Sequence, residues 1–229
     1  MPAPSPLPSS ANLFSVFPEK LAARLFANAK PTKLAADEVL FLAGDPGDGC
    51  YRVEQGLLKI SMIAPTGAER ILAIVGPGGI VGELSTIDGL PRSASVAAVR
   101  DSELTFVSRA ACQAFADAHP EVYRHLVTLL AARLRDTDGV VAAGSFLPLK
   151  GRVARALLDL SEAFGQDLGQ GRILIRQKVS RSDVAAMAGI ARENVSRILN
   201  DWIRDKLVTR LSGYSCLENK AKLKRESAL

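Results

Sequence analysis

The period of the apolar positions switches from strand-like to helical part-way along the chain. Residues 12–30 (NLFSVFPEKLAARLFANAK) predict a short helical region broken at Pro18. From Val39 to Val107 the pattern becomes short β-rich runs punctuated by glycine: VLFL, CYRV, GLLKISMIA, RILAIVG, IVGEL, SASVAAV and LTFV. That spacing predicts a sandwich or barrel of short strands. Turn signals stand at Gly44-Asp45, Gly47-Asp48 and Pro77-Gly78-Gly79. A short helix is expected over Arg109–Ala118.

Residues 120–146 are different. Tyr123, Leu130, Thr137 and Gly144 recur every seven residues, and Val127, Leu134 and Val141 form a second series offset by four. Together they make a seam of period about 3.5, as in a helix that pairs with a copy of itself. Packing on its own domain would use the same pattern. Thr137-Asp138-Gly139 interrupts the seam, and glycine inside a helix costs roughly 1 kcal/mol relative to alanine, so that point serves something besides packing. Pro148 breaks the helix. Beyond it the pattern predicts a helix over Val153–Phe164, a loop over 165–171 and a short strand over Ile173–Ile175. Ser180 and Asp183 form a capping box that opens a helix reaching about Ala188. Gly189-Ile190-Ala191 makes a turn, Arg192–Lys206 a second helix, and 207–217 a hairpin turning at Ser212-Gly213. The last ten residues, basic in character, are expected to be loosely ordered.

Composition sharpens this. A chain of 229 residues with 48% hydrophobic content suits two modest domains. No apolar run is long enough to span a bilayer. MPAPSPLPSS opens the chain without a basic start or apolar stretch, so residues 1–11 read as a disordered leader. Cys50, Cys112 and Cys216 are odd in number and scattered, which argues against a disulfide framework or a metal cluster and for a reducing cytoplasm. No Ser/His/Asp or Cys/His arrangement or phosphate-binding P-loop is present, so an enzyme is not expected. The charge is uneven. From Lys150 onward there are 16 Lys/Arg and 9 Asp/Glu, a net of +7; residues 1–149 carry a net of −2. The asymmetry points to a polyanion partner for the C-terminal part.

Two helices joined by a glycine turn in a basic module suggest a helix-turn-helix. The start of its second helix would face base edges in a major groove. Arg192, Glu193, Asn194, Ser196 and Arg197 stand there. Arginine suits bidentate contact with guanine, and glutamate accepts from cytosine. Arg181, Lys206 and Arg210 suit phosphates, with the hairpin as a wing. In the N-terminal part, GELSTIDGLPRSASVAA (82–98) places Gly82-Glu83 before a short helical segment and Arg92-Ser93 after it. Arg92 offers a fork of donors for a phosphate, Ser93 a hydroxyl, and Glu83 an acceptor for a ribose hydroxyl. Spacing alone also fits a surface loop with an Arg–Glu ion pair.

From about Leu40 to Leu211 the chain resembles the Crp/Fnr family of bacterial transcription regulators. GDPGDGCYRVEQGLLKI (44–60) resembles its cyclic-nucleotide-binding β-roll, GEL and RSA (82–84 and 92–94) its phosphate-binding cassette, and Arg192-Glu193 with Arg197 its base-reading triad. The resemblance implies an α+β chain. Residues 12–118 would form a jelly-roll-like effector domain, 119–146 a dimerisation helix, and 147–229 a winged helix-turn-helix. It implies a cyclic nucleotide effector, cGMP or cAMP, no metal, and double-stranded DNA, a second copy and RNA polymerase as partners. The Gly82 backbone and Glu83 would hold the ribose, with Leu84 also at the ligand; Arg92 and Ser93 would hold the cyclic phosphate, and Arg133, Thr137 and Asp138 would close over the ligand. Asp138 departs from the hydroxyl residue usual in cAMP-responsive members. A carboxylate only accepts hydrogen bonds, which suits the adjacent N1–H and N2–H₂ donors of guanine. The expected function is a homodimeric activator binding a palindromic TGTGA-like site. Alternatives are a family member with another effector or none, or a cyclic-nucleotide regulatory subunit of an enzyme.

Overall fold

The computed structural model describes residues 18–228, without the side chains of Leu129, Arg133 and Asp136. The expected leader and the part of the 12–30 helical region ahead of Pro18 lie outside the described residues. Two compact units divide between Arg135 and Asp136.

The first unit opens with α1 (Glu19–Leu25), directly behind Pro18, and strands β1 (Lys30–Leu34) and β2 (Val39–Phe41). Then come β3 (Gly49–Ile63), β4 (Glu69–Val75), β5 (Ile80–Val81), α2 (Glu83–Asp88), β6 (Ser95–Ser108), α3 (Arg109–Ala118) and α4 (Glu121–Phe146). Among the described residues the strands form one six-stranded antiparallel sheet, ordered β1-β6-β3-β4, with β2 on β6 and β5 on β3. Leu34, Val53, Leu58, Val75, Val81, Val96 and Leu104 fill its core.

Two expectations need correction. CYRV and GLLKISMIA are one strand, β3, and SASVAAV and LTFV are one strand, β6. They pair from Gly49↔Ser108 to Ser61↔Ser95 with register shifts between Val53 and Leu58. The polar stretches Glu54-Gln55-Gly56 and Arg100-Asp101-Ser102 break the hydrophobic pattern, but a bulged ladder absorbs them. The strand β1, KPTKL, carries no strand pattern of its own. It forms because β6 offers an edge, where Pro31 is tolerated.

The second unit takes the C-terminal end of α4, then α5 (Leu149–Phe164), β7 (Gly165–Gly169), β8 (Arg172–Ile175), α6 (Arg181–Ala188), α7 (Arg192–Arg204), β9 (Val208–Leu211), β10 (Tyr214–Leu217) and α8 (Lys220–Glu226). Its sheet runs β7-β8-β10-β9. Val153, Leu157, Ile175, Val195, Ile198, Trp202, Leu217 and Leu223 share one core. The expected loop 165–171 is a strand and a turn, because Gly165 to Gly169 pair with the apolar β8. The expected loose tail is α8. Asn219 accepts from Lys222 N at 2.9 Å, and Leu223 is fully buried in the core. One apolar residue in a charged run decides its order.

The capping box on α6 is present in both directions. Ser180 N donates to Asp183 Oδ2 at 2.9 Å, and Asp183 N donates to Ser180 Oγ at 3.1 Å. Ser180→Ala is expected to lower stability by about 1 kcal/mol, read as a lower urea midpoint with unchanged slope. Ser180→Asp, which caps equally well, should stay close to the parent.

Candidate functional site

In the first unit β5 enters α2 through Gly82, whose backbone is left-handed at φ 81°. That conformation suits glycine. A Cβ there would also lie 2.3 Å from Arg92 Nη1. The close approach matters because Arg92, 4% exposed, is held by the main chain around it. Its Nη1 donates to Gly49 O at 2.7 Å, Gly82 O at 2.9 Å and Ser85 Oγ at 2.9 Å. Its Nη2 donates to Asp48 Oδ1 at 2.7 Å, and the Phe41 ring lies 4.2 Å from the guanidinium carbon. Arg92 Nε is buried without a partner in the structure. A buried donor left unpaired is costly, so a fixed cation here carries a donor in reserve for an acceptor.

A small cavity of about 40 Å³, open to solvent, lies against this arginine. Gly82, Glu83, Leu84, Arg92 and Ser93 all line it, so it brings together five of the residues the sequence singled out. Phe41, Ile60 and Val96 supply an apolar wall. Glu83 is buried and Ser93 is exposed at the rim. One fixed cation, a buried carboxylate and an apolar wall suit a ligand with an anionic group, hydroxyls and a flat apolar part.

In the second unit α6 ends on Gly189, left-handed at φ 64°, and the chain turns into α7. Val195, Ile198, Leu199 and Trp202 bury one side of α7. Arg192, Glu193 and Arg197 are exposed, and Asn194 and Ser196 are half-buried. Arg197 Nη2 donates to Asn194 Oδ1 at 2.9 Å, and Arg181 Nη2 donates to Asn200 Oδ1 at 2.8 Å. The hairpin turns where expected, with Ser212 and Gly213 at φ 51° and 85°. Lys206 and Arg210 are exposed beside it. Glu218 ties the hairpin's root, accepting from the Thr209 hydroxyl and from Arg172 Nε at 2.7 Å. Those two bonds, the Thr209 one foremost, hold its carboxyl below the usual carboxylate range against the cost of burial.

The α4 helix is continuous through Thr137-Asp138-Gly139. Tyr123, Val127, Leu134 and Val141 of the seam are exposed, the last three at 65%, 63% and 62%. Thr137 and Asp138 are exposed as well, while the Arg133 side chain lies outside the described residues. Gly139 is buried, and its carbonyl accepts from Arg155 Nη1 of α5 at 2.7 Å.

Two family models match this chain: a cyclic nucleotide-binding domain over residues 31–119 and a Crp-like helix-turn-helix domain over residues 151–226. A CRP-like cAMP-activated global transcriptional regulator from Mycobacterium tuberculosis is 32% identical over 207 residues, covering 90% of this chain and 92% of that protein. The chain belongs to the Crp/Fnr family of transcriptional regulators. A cyclic AMP receptor protein from Thermus thermophilus is 37% identical over 185 residues, 81% of this chain and 78% of that one. Among solved structures, the c-di-GMP responsive regulator CLP of Xanthomonas campestris is 25% identical with a TM-score of 0.74, covering 87% of this chain and 99% of its own. Crp/Fnr membership carries DNA binding through the helix-turn-helix, and the first unit is a domain of the cyclic nucleotide-binding family. Among the described residues no group of His, Cys, Asp and Glu is placed to hold a metal ion, and no helix is long and apolar enough to cross a membrane.

Sequence reasoning missed three parts of this regulator's site. Asp48 was legible only as a turn residue, and Phe41 only as one letter of a strand. Ser85 lies inside the cassette with no motif of its own. All three meet Arg92 through folding over long sequence separations or through the turn of α2. A second acidic residue in a glycine-rich loop was the available signal for Asp48.

Proposed function

We propose that this Crp/Fnr chain works as a homodimer whose affinity for DNA is set by a 3′,5′-cyclic purine nucleotide. The observation that carries this is Arg92, buried beside Gly82 and Glu83 with its Nε unpaired and its side chain in the wall of an open cavity. Arg92 and Ser93 take the cyclic phosphate. The Gly82–Leu84 segment takes the ribose, with Glu83 accepting from its hydroxyl. Arg133, Thr137 and Asp138 complete the site around the base. Relatives named as cAMP-activated support cAMP. The acceptor-only carboxylate of Asp138 supports cGMP. Isothermal calorimetry with cAMP, cGMP and c-di-GMP tests the effector: one cyclic mononucleotide per chain is expected, and no heat with either mononucleotide contradicts it. Asp138→Ser is expected to weaken cGMP by about tenfold, the worth of one lost hydrogen bond to a charged group, and to leave cAMP nearly unchanged. Equal cGMP binding by the variant would end the base-reading role of Asp138.

The exposed seam on α4 supports the second copy as its cover. A stripe of Val127, Leu134 and Val141 at heptad spacing is costly to leave in water. Leu134→Glu should give a monomer in sedimentation; a dimer would overturn this interface. Each subunit then presents Arg192, Glu193, Asn194, Ser196 and Arg197 to one major groove, with Arg181 on phosphate. The two half-sites of a TGTGA-like palindrome are about 34 Å apart. The exposed β7 strand is the proposed contact with RNA polymerase, in the sense of activation.

A further inference from the structure

Cys50 lies on β3 and Cys112 on α3, yet their sulfur atoms stand 3.5 Å apart, both as free thiols. A disulfide needs about 2.05 Å, so closure requires a movement of roughly 1.5 Å. The two thiols have unequal environments. Cys50 is 3% exposed in a small apolar cluster with Phe26, Ile80 and Val107. Cys112 is half-buried at its edge. The hydrogen bond from Cys50 lowers the Cys112 thiol, whereas that same bond and burial push the Cys50 thiol up. The partly accessible sulfur is therefore the one more readily ionised, and the buried one is the natural second partner.

We propose that Cys50 and Cys112 are a redox modification site that closes into a reversible intramolecular disulfide on reaction with hydrogen peroxide. The Cys112 thiolate attacks the peroxide oxygen. The O–O bond breaks, water leaves once the released hydroxide is protonated, and Cys112 becomes a sulfenic acid. The Cys50 sulfur then attacks the Cys112 sulfur, the S–OH bond breaks, and a second water leaves with the Cys50 proton. Two thiols are oxidised by two electrons, and one peroxide is reduced to two waters. The bond forms one residue from Gly49, whose carbonyl holds Arg92 at 2.7 Å, so the redox pair and the anion cage share one segment of β3. The disulfide itself does not depend on the effector assignment.

The test treats the reduced full-length protein with equimolar hydrogen peroxide, blocks remaining thiols with iodoacetamide, and maps peptides without reductant. The expected result is a Cys50–Cys112 cross-linked peptide within single chains, full thiol recovery with dithiothreitol, and Cys216, wholly buried, unchanged. In Cys50→Ala, folding checked by circular dichroism, Cys112 should be trapped as a dimedone-reactive sulfenic acid. Alkylation of both thiols after peroxide in the wild-type protein overturns the proposal. So does oxidation of Cys112 to sulfinic acid without the cross-link, or a cross-link found only between chains.

Discussion

Arg92→Leu is expected to weaken cyclic nucleotide binding by about a hundredfold or more in calorimetry. One hydrogen bond to a charged group contributes about 1.5–3 kcal/mol, and each 1.4 kcal/mol is tenfold in affinity. A cyclic phosphate taking two such bonds loses both. Among the described residues Arg92 is the one arginine or lysine on the cavity wall. Arg92→Lys keeps the charge but loses the planar fork, and should recover only part of the affinity. Arg92→Leu also strips Gly49 O and Asp48 of a donor, so stability falls too, and binding must be compared well below the unfolding temperature. Unchanged affinity in Arg92→Leu would remove the phosphate from this cage altogether.

Arg192→Ala is expected to weaken binding to the cognate palindrome by about 10–100-fold while relaxing base preference at one position per half-site. A bidentate arginine–guanine contact carries about 1–3 kcal/mol of discrimination. Its backbone is fixed by α7, whose Val195, Ile198 and Trp202 anchor the opposite side in the core. Arg210→Ala is the contrast. Removing a phosphate-binding side chain from the wing weakens all sequences alike and lowers the salt slope by about one. Fluorescence anisotropy on matched and mutated sites over a salt series separates the two patterns. Arg192→Ala behaving like Arg210→Ala would take α7 out of base reading.

The second unit was the more legible from sequence because its signals are local. Ser180 with Asp183, Gly189, and Ser212-Gly213 each fix a boundary within a few residues, and all four elements around them form where expected. The α8 helix was hidden because a single leucine, Leu223, decides its order within a run of lysines. The first unit depends on pairing across long separations. Arg100-Asp101-Ser102 looks like a break until β3 supplies its partner, and Lys30–Leu34 looks polar until β6 supplies an edge. The cassette residues were legible through their motif, but the groups that hold Arg92 in place were not. Asp48 and Phe41 reach it from 44 and 51 positions earlier in the chain. The Cys50–Cys112 pair is hidden in the sequence for the same reason, its members standing 62 positions apart.

In the proposed function, the effector site of the first unit governs DNA affinity in the second. Such couplings amount to about 1–3 kcal/mol, or 5–150-fold, and arise when the ligand favours the DNA-binding conformation. The direct measurement is anisotropy of a labelled near-palindromic TGTGA-type duplex, titrated with the full-length protein at fixed salt, alone and with saturating cAMP or cGMP. The expected result is a rise in DNA affinity within that range with at least one nucleotide, and no rise in Arg92→Leu. Equal affinity with and without both nucleotides would contradict it.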